Sequence, residues 1–125
     1  MKFLPFTIAL ILGATEPAFA CMVPNLDEDI PVQVSYEARD HGQLAVSVEH
    51  PETHDGLAFS GMVVTIHDGD ELLFESLIGV DDERRHSGFI IAEHLVNQTE
   101  VRVWYGPSES GLCADYRAIQ LHKPD

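Results

Sequence analysis

The chain has 125 residues, with 21 Asp and Glu against 7 Lys and Arg, and a formal net charge of −14. A surface this negative repels phosphate backbones and anionic lipid headgroups, so nucleic-acid and membrane-surface partners are disfavoured. Cations and basic protein surfaces remain as the electrostatically allowed partners, although the same charge serves solubility by itself.

Residues 1–20 have the layout of a cleaved secretory signal: Lys2 supplies a positive charge, Phe3 to Gly13 form a short apolar run, and Ala18-Phe19-Ala20 presents small residues at −3 and −1. The run is too short for a bilayer span, which needs ~20 apolar residues in a helix. Removing residues 1–20 from 125 leaves 105, one domain over 21–125 with no membrane span. This implies a soluble protein, periplasmic or secreted. The alternative is a lipoprotein anchored through Cys21, although that signal wants a Leu-like residue at −3 and a small one at −2, where this chain has Ala18 and Phe19. Cys21 and Cys113 both survive cleavage into a disulfide-permissive compartment, so a Cys21–Cys113 bond is expected. Such a loop would contribute roughly 4–5 kcal/mol in the chain-entropy model. Metal ligation or a reactive thiol is the alternative use of the pair.

Downstream of Pro24 and the acidic Asp27-Glu28-Asp29, the pattern takes period two. Val32, Val34 and Tyr36 alternate with polar residues, Asp40-His41-Gly42 supplies a turn, and Leu44, Val46 and Val48 alternate again, predicting a hairpin. His50 to Gly56 reads as a polar loop. Met62, Val64 and Ile66 lead into Asp68-Gly69, and Leu72, Phe74 and Ser76 to Ile78 follow. Asp-Gly between two such runs is a strong hairpin signal, because both central residues of a type I′ turn need positive φ. Asp81 to His86 reads as solvent loop, Ser87 to Ile91 as a strand, and Ala92 to Asn97 as a helical turn crossing between sheets. Val101, Val103 and Tyr105 mark a strand, Gly106 to Gly111 a loop, and Ala114 to Leu121 the last strand. About seven short strands with turn signals between them predict an all-β, immunoglobulin-like antiparallel β-sandwich, with a small barrel as the alternative.

The densest set of ligand-type residues is His50-Pro51-Glu52-Thr53-His54-Asp55. Imidazole binds zinc, copper, nickel or iron, and a carboxylate completes or orients such a site, which makes His50 and His54 candidate metal ligands. A third ligand would come from Met22, His41, His67 or His86; otherwise the two are solvated loop histidines. Asp68-Gly69-Asp70-Glu71 and Asp81-Asp82-Glu83 lack the alternating oxygen ligands of a calcium loop. Ser108 and Ser110 lack the strand-nucleophile-helix context of a hydrolase elbow, and no phosphate loop or zinc-hydrolase helix occurs. Arg102 and Trp104 alternate with the Val101-Val103-Tyr105 face, so either they form an outward interaction surface or both faces of the strand are covered.

Val48-Glu49-His50-Pro51-Glu52-Thr53, the hairpin at Asp68-Gly69 and the late strand into Tyr105-Gly106 resemble the partner subunit of the sulfur-oxidation carrier (SoxZ-like) and, more distantly, superoxide reductase domains. The latter resemblance would imply iron held by histidines and a cysteine followed closely by His, but Cys113 is followed by Ala114-Asp115-Tyr116. The former implies an interaction module without a catalytic cofactor. The expectation is therefore an exported, non-enzymatic module without cofactors that binds a protein or small ligand, and the alternative is a metal-binding or redox protein using loop histidines and a transition metal ion.

Overall fold

A computed structural model describes residues 24–79, 83–106 and 114–124. The expected signal at 1–20 and both Cys21 and Cys113 lie outside the described residues.

Two sheets pack face to face. In the first, β1 (Asn25–Leu26), β9 (Asp115–Gln120), β8 (Thr99–Tyr105) and β5 (Leu57–Asp68) lie side by side, with β6 (Glu71–Ile78) on the far side of β5 and β4 (Thr53–His54) at its start. The second is β2 (Gln33–Arg39), β3 (Gln43–Glu49) and β7 (His86–Ala92). Seven strands of six residues or more make the all-β sandwich expected from the alternation. Chain neighbours pair as hairpins, β2 with β3, β5 with β6 and β8 with β9, while β3 also pairs β7 and β5 also pairs β8. One pairing departs from the antiparallel expectation, since β1 runs parallel to β9.

Alternation becomes layering because successive side chains leave a strand on opposite faces. Leu44, Val46 and Val48 of β3 meet Phe59, Met62 and Val64 of β5 and Val101, Val103 and Tyr105 of β8 in one buried cluster. Each such side chain, fully buried, contributes about 1.5–3 kcal/mol. A 3₁₀ helix, Glu93–Gln98, carries the chain from β7 to β8 and buries Val96.

The turns refine the expectation. In the β5–β6 hairpin Asp68 pairs with Glu71, so the central residues are Gly69 and Asp70, and of these two only Gly69 has positive φ. That suits a II′ turn, with Gly first, rather than I′. The pattern with both central residues at positive φ occurs instead at Asp55 (51°) and Gly56 (81°), between His54 and Leu57. The polar loop from His50 therefore contains a two-residue strand folded back on β5.

Candidate functional site

The segment that leaves β3 carries both predicted metal ligands, and its fastenings decide their environments. Tyr105 donates its hydroxyl to the Pro51 carbonyl at 2.6 Å, and the Phe59 N–H donates to the Glu52 carbonyl at 2.9 Å. Phe59 and Tyr105 are cross-strand neighbours whose rings meet edge to face, with centroids 5.6 Å apart. The two histidines lie against different members of this aromatic pair.

His50 continues the core face of β3 and is only 5% exposed. Its ring stacks on Phe59 with centroids 4.0 Å apart, and its Nε2 lies 3.1 Å from the Ser87 hydroxyl. A His–Ser hydrogen bond is one element of a nucleophilic dyad. Here, though, Ser87 is 1% exposed, so the bond satisfies two buried polar groups.

His54 lies beside Tyr105, with centroids 5.9 Å apart. Its Nε2 is 2.8 Å from Asp27 Oδ2 and 3.4 Å from Asp55 Oδ2. Asp115 joins them because the parallel β1–β9 pairing puts Asn25 opposite it, and Asn25 donates to its Oδ1 at 3.2 Å. One ligand-type atom from each of Asp27, His54, Asp55 and Asp115 lies within 4.8 Å of the others. His50 is not among the four. The imidazole and the Asp29 N–H, which donates to Asp27, hold the Asp27 carboxyl below the usual carboxylate range.

Chemically, one imidazole nitrogen and three carboxylates form a mixed N/O donor set suited to a divalent ion such as zinc or manganese. Tetrahedral ligation at zinc distances separates ligand atoms by about 3.3 Å. The Asp27–His54 pair would have to open slightly, and its hydrogen bond would be exchanged for the ion.

A second candidate surface lies on the outside of the larger sheet. Glu100, Arg102 and Trp104 point away from the core, opposite Thr99, Val101, Val103 and Tyr105, which are buried. Trp104 stacks on Tyr116 of β9 with centroids 4.5 Å apart, and Arg102 sits over the same ring while pairing with Glu100 at 2.6 Å. Between them and β6 runs a groove of about 580 Å³, with Val63 and Thr65 on its floor and Leu72, Glu75 and Leu77 along its side. Gly61 matters here, because a Cβ at that position would stand 3.1 Å from Leu77 Cδ1.

The exposure of β6, of which Leu72, Glu75 and Leu77 line this groove, is the part the sequence reading missed. Strand β6 exposes Leu72, Leu73, Phe74 and Leu77 by half or more, four of the six large apolar side chains so exposed among the described residues. Among the described residues it pairs with β5 alone. No sequence signal marks it, since apolar residues on both parities of a strand read equally as a strand covered on both faces.

Comparison of the chain with protein-family models, with curated proteins and with solved structures finds no match.

Proposed function

We propose that the protein is a non-enzymatic interaction module that holds a protein partner against β6 and the groove bounded by Arg102 and Trp104. The carrying observation is the concentration of exposed Leu72, Leu73, Phe74 and Leu77 on one strand at the edge of a sheet. Contiguous exposed apolar surface bordered by polar groups marks interaction sites, and an aromatic with Arg beside it is a frequent anchor. The resemblance to the sulfur-oxidation carrier partner points to the same class. The test is photo-crosslinking in the cells that make the protein, with benzoylphenylalanine at Leu72 or Leu77 and at exposed Gln43 as control. Discrete adducts from the first two positions, diminished by Trp104→Ala, are expected. No adduct from either, or the same adducts from Gln43, overturns the reading.

Export belongs to this proposal. Lys2, the apolar run and Ala18-Phe19-Ala20 support cleavage before Cys21 into an oxidising compartment, where Cys21 and Cys113 pair. Intact mass of the exported chain checks this: it begins at Cys21 and gains two hydrogens on reduction. A lipid mass at Cys21 would make it a membrane-anchored lipoprotein instead.

A second reading, binding of a transition metal ion, is favoured by the grouping of Asp27, His54, Asp55 and Asp115. Calorimetric titration with zinc, copper and ferrous iron tests it. Tight binding abolished by His54→Ala supports the reading, and binding unchanged by that substitution ends it.

A further inference from the structure

The edges of the two sheets are treated differently along the chain. On the larger sheet, β9 is covered by β1 at one end of its length. On the smaller, β2 alternates partly buried with exposed residues and includes Glu37 and Arg39. Among the described residues no strand pairs with the outer edge of β6, and its side chains from Glu71 to Glu75 are all exposed, with Ser76 and Ile78 half-buried towards its end. Backbone N–H and C=O groups of alternate residues in an edge strand point away from its neighbour, a ready template for a further strand.

The pairing of β5 with β6 is regular from Met62–Ile78 to Ile66–Phe74 and then shifts, leaving Leu73 as the extra residue of a bulge. The regular stretch available to an added strand is therefore 74–78, with Glu75 inside it. Charge decides what kind of strand fits. Among the described residues from Asp68 to Glu83 there are five acids, Asp68, Asp70, Glu71, Glu75 and Glu83, and no Lys, Arg or His. A second copy fits poorly. Antiparallel self-pairing centred on Glu75 would bring the two carboxylates together, and centring on Ser76 or Leu77 would set each Glu75 against Leu77 or Gly79, neither of which answers its charge. A basic residue opposite Glu75 removes both conflicts.

We infer that β6 accepts an extended segment of a partner protein as an added strand, and that this segment is apolar with Lys or Arg opposite Glu75 and at its ends. The inference rests on the interaction-module reading and specifies its partner. Main-chain hydrogen bonds supply the affinity common to strand addition, and the acids select the sequence.

The probe is a labelled synthetic peptide of alternating Val and Thr, with Lys at its centre and both ends, measured by fluorescence anisotropy against the folded protein. Saturable binding is expected, about tenfold tighter than for the same peptide with Glu in place of Lys. The variant Glu71→Lys/Glu75→Lys reverses that preference, and N-methylation of alternate peptide amides abolishes binding. Both substituted side chains are exposed, and circular dichroism verifies the fold. Equal binding of the two peptides, indifference to N-methylation, or absence of binding overturns the inference. So does a dimer in sedimentation that dissociates when β6 is changed, since a second copy would then be the occupant. If crosslinks form at Leu77 while the peptides bind equally, the partner chemistry fails and the interaction module stands. If no crosslinks form, both fail.

Discussion

His50 and His54 are four residues apart and belong to one short segment, yet they occupy opposite kinds of environment. His50 is stacked on Phe59 and bonded to Ser87 in the interior, while His54 sits near the surface among three carboxylates. The difference teaches that residue type proposes chemistry and burial disposes of it. An imidazole sealed between sheets acts as a core aromatic with a satisfied polar edge. The same imidazole near the surface is hydrogen-bonded through Nε2 to Asp27 and lies close to the carboxylates of Asp55 and Asp115.

The contrast breaks most sharply at His50. His50→Ala removes a buried stacked ring and strands the Ser87 hydroxyl, with an expected loss of about 2–4 kcal/mol in urea unfolding. Metal affinity should be unmoved, and an exposed His50 would show itself as a negligible loss. Tyr105→Phe comes next at about 1 kcal/mol, because the Pro51 carbonyl that fixes the segment between the histidines loses its donor. Burial pushes the Tyr105 pKa upward, so the folded state keeps its proton after the unfolded chain has begun to lose it. The stability from this group is complete below about pH 10 and declines above it. Tyr105→Phe should flatten that alkaline limb.

His54→Ala removes the hydrogen bond to Asp27 Oδ2 but no ring stacked inside the core, so it should lower the urea midpoint by less than His50→Ala. On the metal-binding reading it should weaken zinc binding by at least about tenfold in calorimetry. The smallest effect sharpens the comparison from the acid side. Asp27 has a folded pKa below its unfolded value, so its contribution is present above about pH 4 and disappears as pH falls through the folded pKa. Asp27→Asn should reduce the acid sensitivity of the melting temperature below pH 4, and an unchanged acid limb would remove Asp27 from the account.

Much of this was legible in particular residues. The alternation Leu44, Val46, Val48 continues in step to His50, so its burial was written in the strand pattern, although Pro51 and the polar residues after it suggested a loop. Two Asp-Gly pairs occur, and each lies at a tight hairpin, but only Asp55-Gly56 has both residues at positive φ. Two residues, Thr53-His54, are too few to display a period, which is why β4 was invisible. Arg102 and Trp104 face outward because Val101, Val103 and Tyr105 claim the interior.

The cluster around His54 was not legible. Asp27 is brought by the segment after β1 and Asp115 by the first residue of β9, and only the parallel β1–β9 pairing makes them neighbours. The exposure of β6 was equally hidden, because an apolar run looks the same whether a second sheet covers it or not.

By itself the sequence determined the period-two strands, the turns that separate them and the acidity of the surface, because side-chain parity, positive φ and charge are local properties of a chain. Which histidine is buried, which carboxylates converge and which apolar strand is left at an edge were decided by the tertiary structure. Those outcomes depend on contacts between segments far apart in the chain, and the burial that fixes each side chain's chemistry exists only once the sheets have packed.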